Sequence, residues 1–183
     1  NDLLWSDFEA TWPLMVTPDQ AANGESAKFL GPEQNMSFPG WDRILHWLPL
    51  WNTVILLSSS VTVHIAHTGL KNNDRKKFNL WLGITVALGM IFLVLQAEEY
   101  IEAYVHMGLT LESGIYGTIF FMMTGFHGAH VTFGTIMLLV QFLRGLKGHF
   151  NDKDQFGFEA ASWYWHFVDV VWIGLFLFVY ILA

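Results

Sequence analysis

The chain has 183 residues, of which 53% are hydrophobic and only 14% charged, with a formal net charge of −7. Soluble domains carry about 25% charged residues, so the composition excludes an ordinary soluble domain and indicates a membrane protein of single-domain length. The absence of cysteine excludes disulfides, thiolate metal sites and thiol nucleophiles.

Residues 1–46 are polar and punctuated by Trp12-Pro13, Thr17-Pro18, Gly31-Pro32 and Pro39-Gly40. Proline and glycine at this density favour turns over helix. The segment reads as an irregular extramembrane loop on the outer, periplasmic side, with Trp5, Trp12, Trp41 and Trp47 suited to headgroup level. The chain opens on Asn1 with no signal peptide before it, as expected of a sequence cut from a longer protein or processed.

Residues 47–183 then form a transmembrane domain of four apolar segments, near Trp47–Leu70, Leu80–Ala97, Ile115–Leu143 and Ala160–Ala183. Each approaches or exceeds the ~20 residues that cross a hydrocarbon core as a helix. The segments lack the alternation of barrel strands, and a helix satisfies its own backbone in lipid. The expected fold is an all-α bundle of four transmembrane helices. Small residues at helix-packing spacing occur at Ser58-Ser59-Ser60, at Gly83 with Ala87 and at Gly125 with Ala129. The stretches Lys71–Lys77 and Arg144–Lys153 hold seven of the nine Lys and Arg. With four spans both fall on one side, and the positive-inside rule makes that side cytoplasmic. The 102–114 loop then lies on the outer side with residues 1–46.

Ionisable groups at membrane depth are costly and point at partners. The first segment carries Asn52, His64 and His67, and the second ends in Gln96-Ala97-Glu98-Glu99-Tyr100. The third carries His127 and His130, and the fourth Glu159, His166 and Asp169 on one helical face. Three readings compete. His64/His67, His127/His130 and His166/Asp169 could ligate a metal, although the Glu-x-x-His element of di-iron bundles is missing. One His from each of two helices could hold a haem. The plainest reading is structural, with the polar groups bonding across helices and binding a partner subunit or lipids. Glu98 and Glu99 lie near a helix end, where solvation alone accounts for them. A proton path through Glu159, His166 and Asp169 is chemically reasonable, but nothing in the spacing continues it across the membrane. There is no Gly-x-Ser-x-Gly elbow and no phosphate loop, and the basic residues are too few and too localised for nucleic acid.

Several motifs carry a resemblance. Leu48-Pro-Leu-Trp-Asn52-Thr with Ala66-His67, Gln96-Ala-Glu-Glu99-Tyr100, Thr124-Gly-Phe-His127-Gly-Ala-His130 and Phe156–Trp172 are similar to the last four helices of subunit III of haem-copper cytochrome c oxidase. Glu9-Ala-Thr-Trp12-Pro13-Leu14 resembles the outer loop of bacterial aa3-type members. That family has seven helices and the resemblance covers only the last four, so either the first three are expected in a separate or further piece, or the chain is a shortened variant. With them would go half of the family's lipid-holding cleft and its carbodiimide-reactive carboxylate.

The resemblance implies a non-catalytic subunit of a bacterial inner-membrane complex, with no catalytic residue, metal or haem of its own. It implies packing on subunit I, with subunit II in the same complex, haem a and copper in those partners, and cytochrome c as electron donor to the complex. It implies bound phospholipid, with Arg144 near a lipid phosphate, and support of proton uptake during aerobic electron transport. The alternatives are subunit III of a quinol oxidase, or a membrane metalloenzyme with His and carboxylate ligands. His127, His130, Glu159, His166 and Asp169 are expected to form a structural polar network between the third and fourth helices.

Overall fold

A computed structural model describes residues 18–23, 48–105, 115–150, 153 and 155–181. The elements are α1 (Pro18–Asn23), α2 (Leu48–Lys71), α3 (Arg75–Val105), α4 (Ile115–Leu146) and α5 (Phe156–Leu175), with a π-helical stretch over Phe176–Ile181. No strand occurs among the described residues. Within 1–46 only α1 is described, a short helix inside the expected irregular loop; the rest of that loop, with Trp5, Trp12 and Trp41, and Trp47 after it, lie outside the described residues.

Four spans are long and apolar enough to cross a membrane, the shortest of 24 residues. At 1.5 Å per residue that is about 36 Å, more than the ~30 Å hydrocarbon core. The apolar segments underestimate the helices. α3 begins five residues before Leu80 because Asp74 caps it, its Oδ1 accepting the Lys77 amide at 3.2 Å. The charged turn Arg75-Lys76-Lys77 is therefore helical. At its other end α3 continues through Glu98, Glu99 and Glu102 to Val105, so 102–105 belong to the helix and not to the expected loop.

Both basic turns close in the same way. At the end of α2 the Asp74 amide donates to the Gly69 carbonyl at 2.9 Å and the Asn73 amide to that of Leu70 at 3.1 Å. At the end of α4 the His149 amide donates to the Arg144 carbonyl at 3.1 Å and the Gly148 amide to that of Gly145 at 3.0 Å. These paired bonds are Schellman caps, which need a left-handed residue just past the helix. Asn73 at φ 57° and Gly148 at φ 74° supply it.

The chain divides into two compact units. One comprises residues 1–49, 97–126 and 174–183. In it the Tyr100 and Thr124 hydroxyls hydrogen-bond, and the Thr124 hydroxyl also donates to the Phe120 carbonyl at 2.5 Å. The Tyr100 ring packs edge-on to Phe121 at 5.4 Å.

The other unit, residues 50–96 and 127–173, contains most of each span. Its centre is Trp165, fully buried on α5. The indole fits because both neighbouring helices present a glycine. A Cβ on Gly89 of α3 would lie 2.9 Å from Trp165 Cη2, and one on Gly134 of α4 would lie 3.0 Å from Cε3. The indole Nε1–H donates to Ser59 Oγ on α2 at 2.9 Å. One side chain thus joins all four helices. Nearby, Trp172 Nε1–H donates to Thr53 Oγ1 at 3.0 Å, and the Thr62 and Thr85 hydroxyls join α2 to α3 at 2.7 Å. Around Phe78, Phe158 packs edge-on at 4.9 Å and Phe150 at 5.6 Å. These contacts place the polar face of α5 against α2.

Candidate functional site

The polar residues of α5 meet α2. Ser60 Oγ and His166 Nδ1 are hydrogen-bonded at 2.7 Å. Asp169 Oδ2 lies 4.0 Å from the same His166 nitrogen, and its carboxylate is buried. One helical turn separates the two on α5, so the hydroxyl, the imidazole and the acid form one group. Nearer the Lys71 end of α2, His67 Nε2 and Glu159 Oε1 approach to 3.5 Å, while Phe158 packs edge-on to the His67 ring at 5.7 Å. The antiparallel register explains the pairing. Ser60 and His67 are seven apart on α2, and His166 and Glu159 are seven apart on α5. Seven residues are close to two turns, so both sets face one way.

Depth follows from the same arithmetic. His64 lies seven residues from Lys71, about 10 Å in from that helix end, and Ser60 eleven, about 16 Å. Placing two histidines and two carboxylates there costs free energy unless they face partners. The Ser60–His166 pair and the Glu159–His67 approach provide such partners.

His127 and His130 do not join this group. His127 is buried on α4, its ring stacked on Trp172 at 5.1 Å with an interplanar angle of 30°. The edge of Phe92 faces it at 6.2 Å. His130 is exposed; its ring stacks on Tyr164 at 6.5 Å, and its carbonyl accepts the Tyr164 hydroxyl at 3.3 Å. α4 therefore meets α5 through aromatic rings and the Tyr164–His130 carbonyl bond, whereas the contacts of His166 and Glu159 with other spans are to α2. The expectation of one five-residue network between the third and fourth spans is resolved into these two separate sets. The α2 partners, Ser60 above all, were missed because a serine in an apolar helix signals close packing as readily as a hydrogen bond.

Glu98 and Glu99 part company. Glu98 is exposed and Glu99 is 95% buried, and neither is at a helix end, because α3 runs on to Val105. Arg144, in the last turn of α4, is exposed and sits over the Phe150 ring, its Cζ 5.0 Å from the centroid. Its guanidinium borders Gly157 at the start of α5, where a Cβ would meet Nη1 at 3.3 Å. Among the described residues no three His, Asp or Glu side chains converge at metal-ligand spacing.

Four apolar helices whose polar side chains turn toward one another define a helical, multi-pass integral membrane protein. The profile of one family, "Cytochrome c oxidase subunit III", matches residues 45–183, and the chain belongs to that family. Curated relatives named cytochrome c oxidase subunit 3 include one from Spodoptera frugiperda. It is 50% identical over 133 residues, 73% of this chain and 88% of that protein. The relative from Drosophila melanogaster is 53% identical and that from Equus caballus 50%, over 73% of this chain and 49% of each relative. The chain thus spans about half the length of most of the curated relatives it matches.

Proposed function

We propose that the chain serves as the subunit III of a proton-translocating cytochrome c oxidase in aerobic electron transport, holding no redox centre itself. The family match over residues 45–183 carries this reading. The names of the relatives favour the cytochrome c branch over a quinol oxidase, and they do not favour a membrane metalloenzyme. In this role the chain packs on subunit I, with subunit II in the same assembly. Haem a and copper reside in those partners, and cytochrome c delivers electrons to the complex.

The same reading puts Lys71–Lys77 and Arg144–Lys153 on the cytoplasmic side, supported by the concentration of basic residues there. It takes the membrane to be the bacterial plasma membrane. That assignment rests on the Glu9–Leu14 segment, which precedes the family match. Arg144 is a phospholipid contact: an exposed guanidinium at a helix end, pinned over Phe150, suits a headgroup phosphate. The His127, His130, Glu159, His166 and Asp169 side chains serve structure, fixing which helix faces meet.

Membranes depleted of this chain test the role. Oxygen consumption driven by reduced cytochrome c should start normally and then decay faster over repeated turnover than in membranes that contain it. Unchanged endurance in its absence would oppose the proposal.

A further inference from the structure

Two polar side chains are buried in the α3–α4 contact without a partner. Gln96 of α3 is 5% exposed and His127 of α4 is 4% exposed. The carboxamide Oε1 and Nε2 of Gln96 and the imidazole Nε2 of His127 are sealed from the surface, and none has a hydrogen-bond partner among the described residues. Gln96 lies nine residues before Val105, where α3 ends, about 13 Å in from that end. Lipid supplies no hydrogen bond at such a depth. Most buried side-chain polar atoms in folded proteins are bonded to protein or to ordered water.

The helix register brings the two side chains together. Across the α3–α4 contact a Cβ on Gly145 would meet Asn79 Oδ1 at 2.6 Å, one on Gly83 would meet Phe142 Cε2 at 3.3 Å, and one on Gly89 would meet Thr135 Oγ1 at 3.0 Å. The helices run antiparallel, so the same register sets Gln96 opposite Gly128, the chain neighbour of His127. Gly89, Phe92 and Gln96 follow at steps of three and four and share one face of α3. The edge of Phe92 is turned to the His127 ring at 6.2 Å, so that face is the one His127 meets. A Cβ on Gly128 would touch nothing within 4 Å, which leaves room at the level of the two orphaned side chains.

The groups around that room select its occupant. An acyl chain offers no hydrogen bond. A side chain from another protein would have to reach atoms that the chain's own residues cover. A direct bond between Gln96 and His127 would serve one carboxamide atom and leave the other unpaired. Water both donates and accepts. It can donate to the carboxamide oxygen, accept from the carboxamide nitrogen and bond to His127 Nε2, so all three atoms are satisfied.

We propose that Gln96 and His127 hold ordered water between α3 and α4, beside Gly128. The contact is then wet at this level and dry one level deeper, where Gly89 and Gly134 close on the Trp165 indole. Such water lies inside the bundle, so it is bound whether or not the chain serves an oxidase.

The test is X-ray radiolytic footprinting of the complex that contains the chain, purified in mild detergent and equilibrated with water carrying a heavy oxygen isotope. Radiolysis turns a bound water into a hydroxyl radical that labels the ring beside it. Trp172, stacked on His127 at 5.1 Å, reports on the site. Trp165 on the same helix is equally buried, with its Nε1–H bonded to Ser59, and serves as the dry comparison. Trp172 should take up heavy oxygen several times faster than Trp165. Gln96→Leu, which removes two of the three orphaned atoms, should bring Trp172 down to the rate of Trp165. His127→Phe keeps a ring against Trp172 without its nitrogens and should lower the rate as well, which decides the matter if Gln96→Leu fails to fold. Equal labelling of Trp172 and Trp165 in the unaltered protein would overturn the proposal. So would Trp172 labelling that neither variant lowers, since the water would then be held by other groups.

Discussion

Trp165 and its two glycines give the sharpest quantitative expectation. Replacing Gly89 by Ala puts a methyl 2.9 Å from Trp165 Cη2 and 3.0 Å from Thr135 Oγ1. Neither neighbour is the loose end of a flexible chain, since the indole is fully buried and the Thr135 hydroxyl donates to the Val131 carbonyl at 2.8 Å. Overpacking of this kind costs about 1–3 kcal/mol, against up to about 1 kcal/mol gained from alanine's helix propensity. The net expectation for Gly89→Ala is a loss of about 1–2 kcal/mol. Gly128→Ala is the internal control: a Cβ there meets nothing within 4 Å, so it should be neutral or stabilising by up to about 1 kcal/mol. Trp165→Phe removes the Cη2 atom and gives up the bond to Ser59, worth about 1 kcal/mol. Combined with Gly89→Ala it should recover part of the clash, with a favourable coupling of about 1–2 kcal/mol. Helicity followed through a denaturing-detergent titration measures all four proteins. The reasoning fails if Gly89→Ala is as harmless as Gly128→Ala, or if the double variant is simply additive.

Other expectations follow from the same structure. Asn73 holds φ 57° in the α2–α3 turn, so Asn73→Gly should leave the midpoint of that titration unchanged, while Asn73→Val should cost about 1–2 kcal/mol. Ser60→Ala takes the hydroxyl from His166 and should cost about 0.6 kcal/mol, the average for an interhelical polar bond. Equal stability with and without Ser60 would show that bond to be idle. Arg144→Ala should lower the phospholipid that stays with the purified protein, read by lipid phosphorus per chain, with the helical content unaltered. Retained lipid equal to that of the unaltered protein would remove Arg144 from the proposed headgroup contact.

The spans were legible because long apolar runs in lipid leave few structural options beyond helix, and the basic turns mark where they end. Helix ends were harder. Hydropathy stops at the first charge, whereas the capped turn at Asp74 and the run Glu98–Val105 keep helical geometry through charged residues. The ionisable residues on α5 were visible as a stripe, since Glu159, His166 and Asp169 fall on one face. Their partner helix was not, because sequence spacing fixes the face of one helix and says nothing about which neighbour it meets. The glycines show the same limit. Gly83 and Gly125 stand out by spacing, yet the tightest indole contacts are at Gly89 and Gly134, chosen by the position of a tryptophan far along the chain. Solvation near a helix end is the sequence expectation for both Glu98 and Glu99, yet Glu99 is buried and Glu98 is not, a difference that two adjacent identical residues cannot reveal.

The most direct test of the central claim is isolation of the chain from its own membranes in a mild detergent, followed by an optical spectrum and intact mass measurement. The preparation is expected to contain haem a, together with a large polytopic subunit in fixed ratio to this chain. Recovery of the chain without haem a, alone or carrying stoichiometric iron or zinc, would contradict that claim.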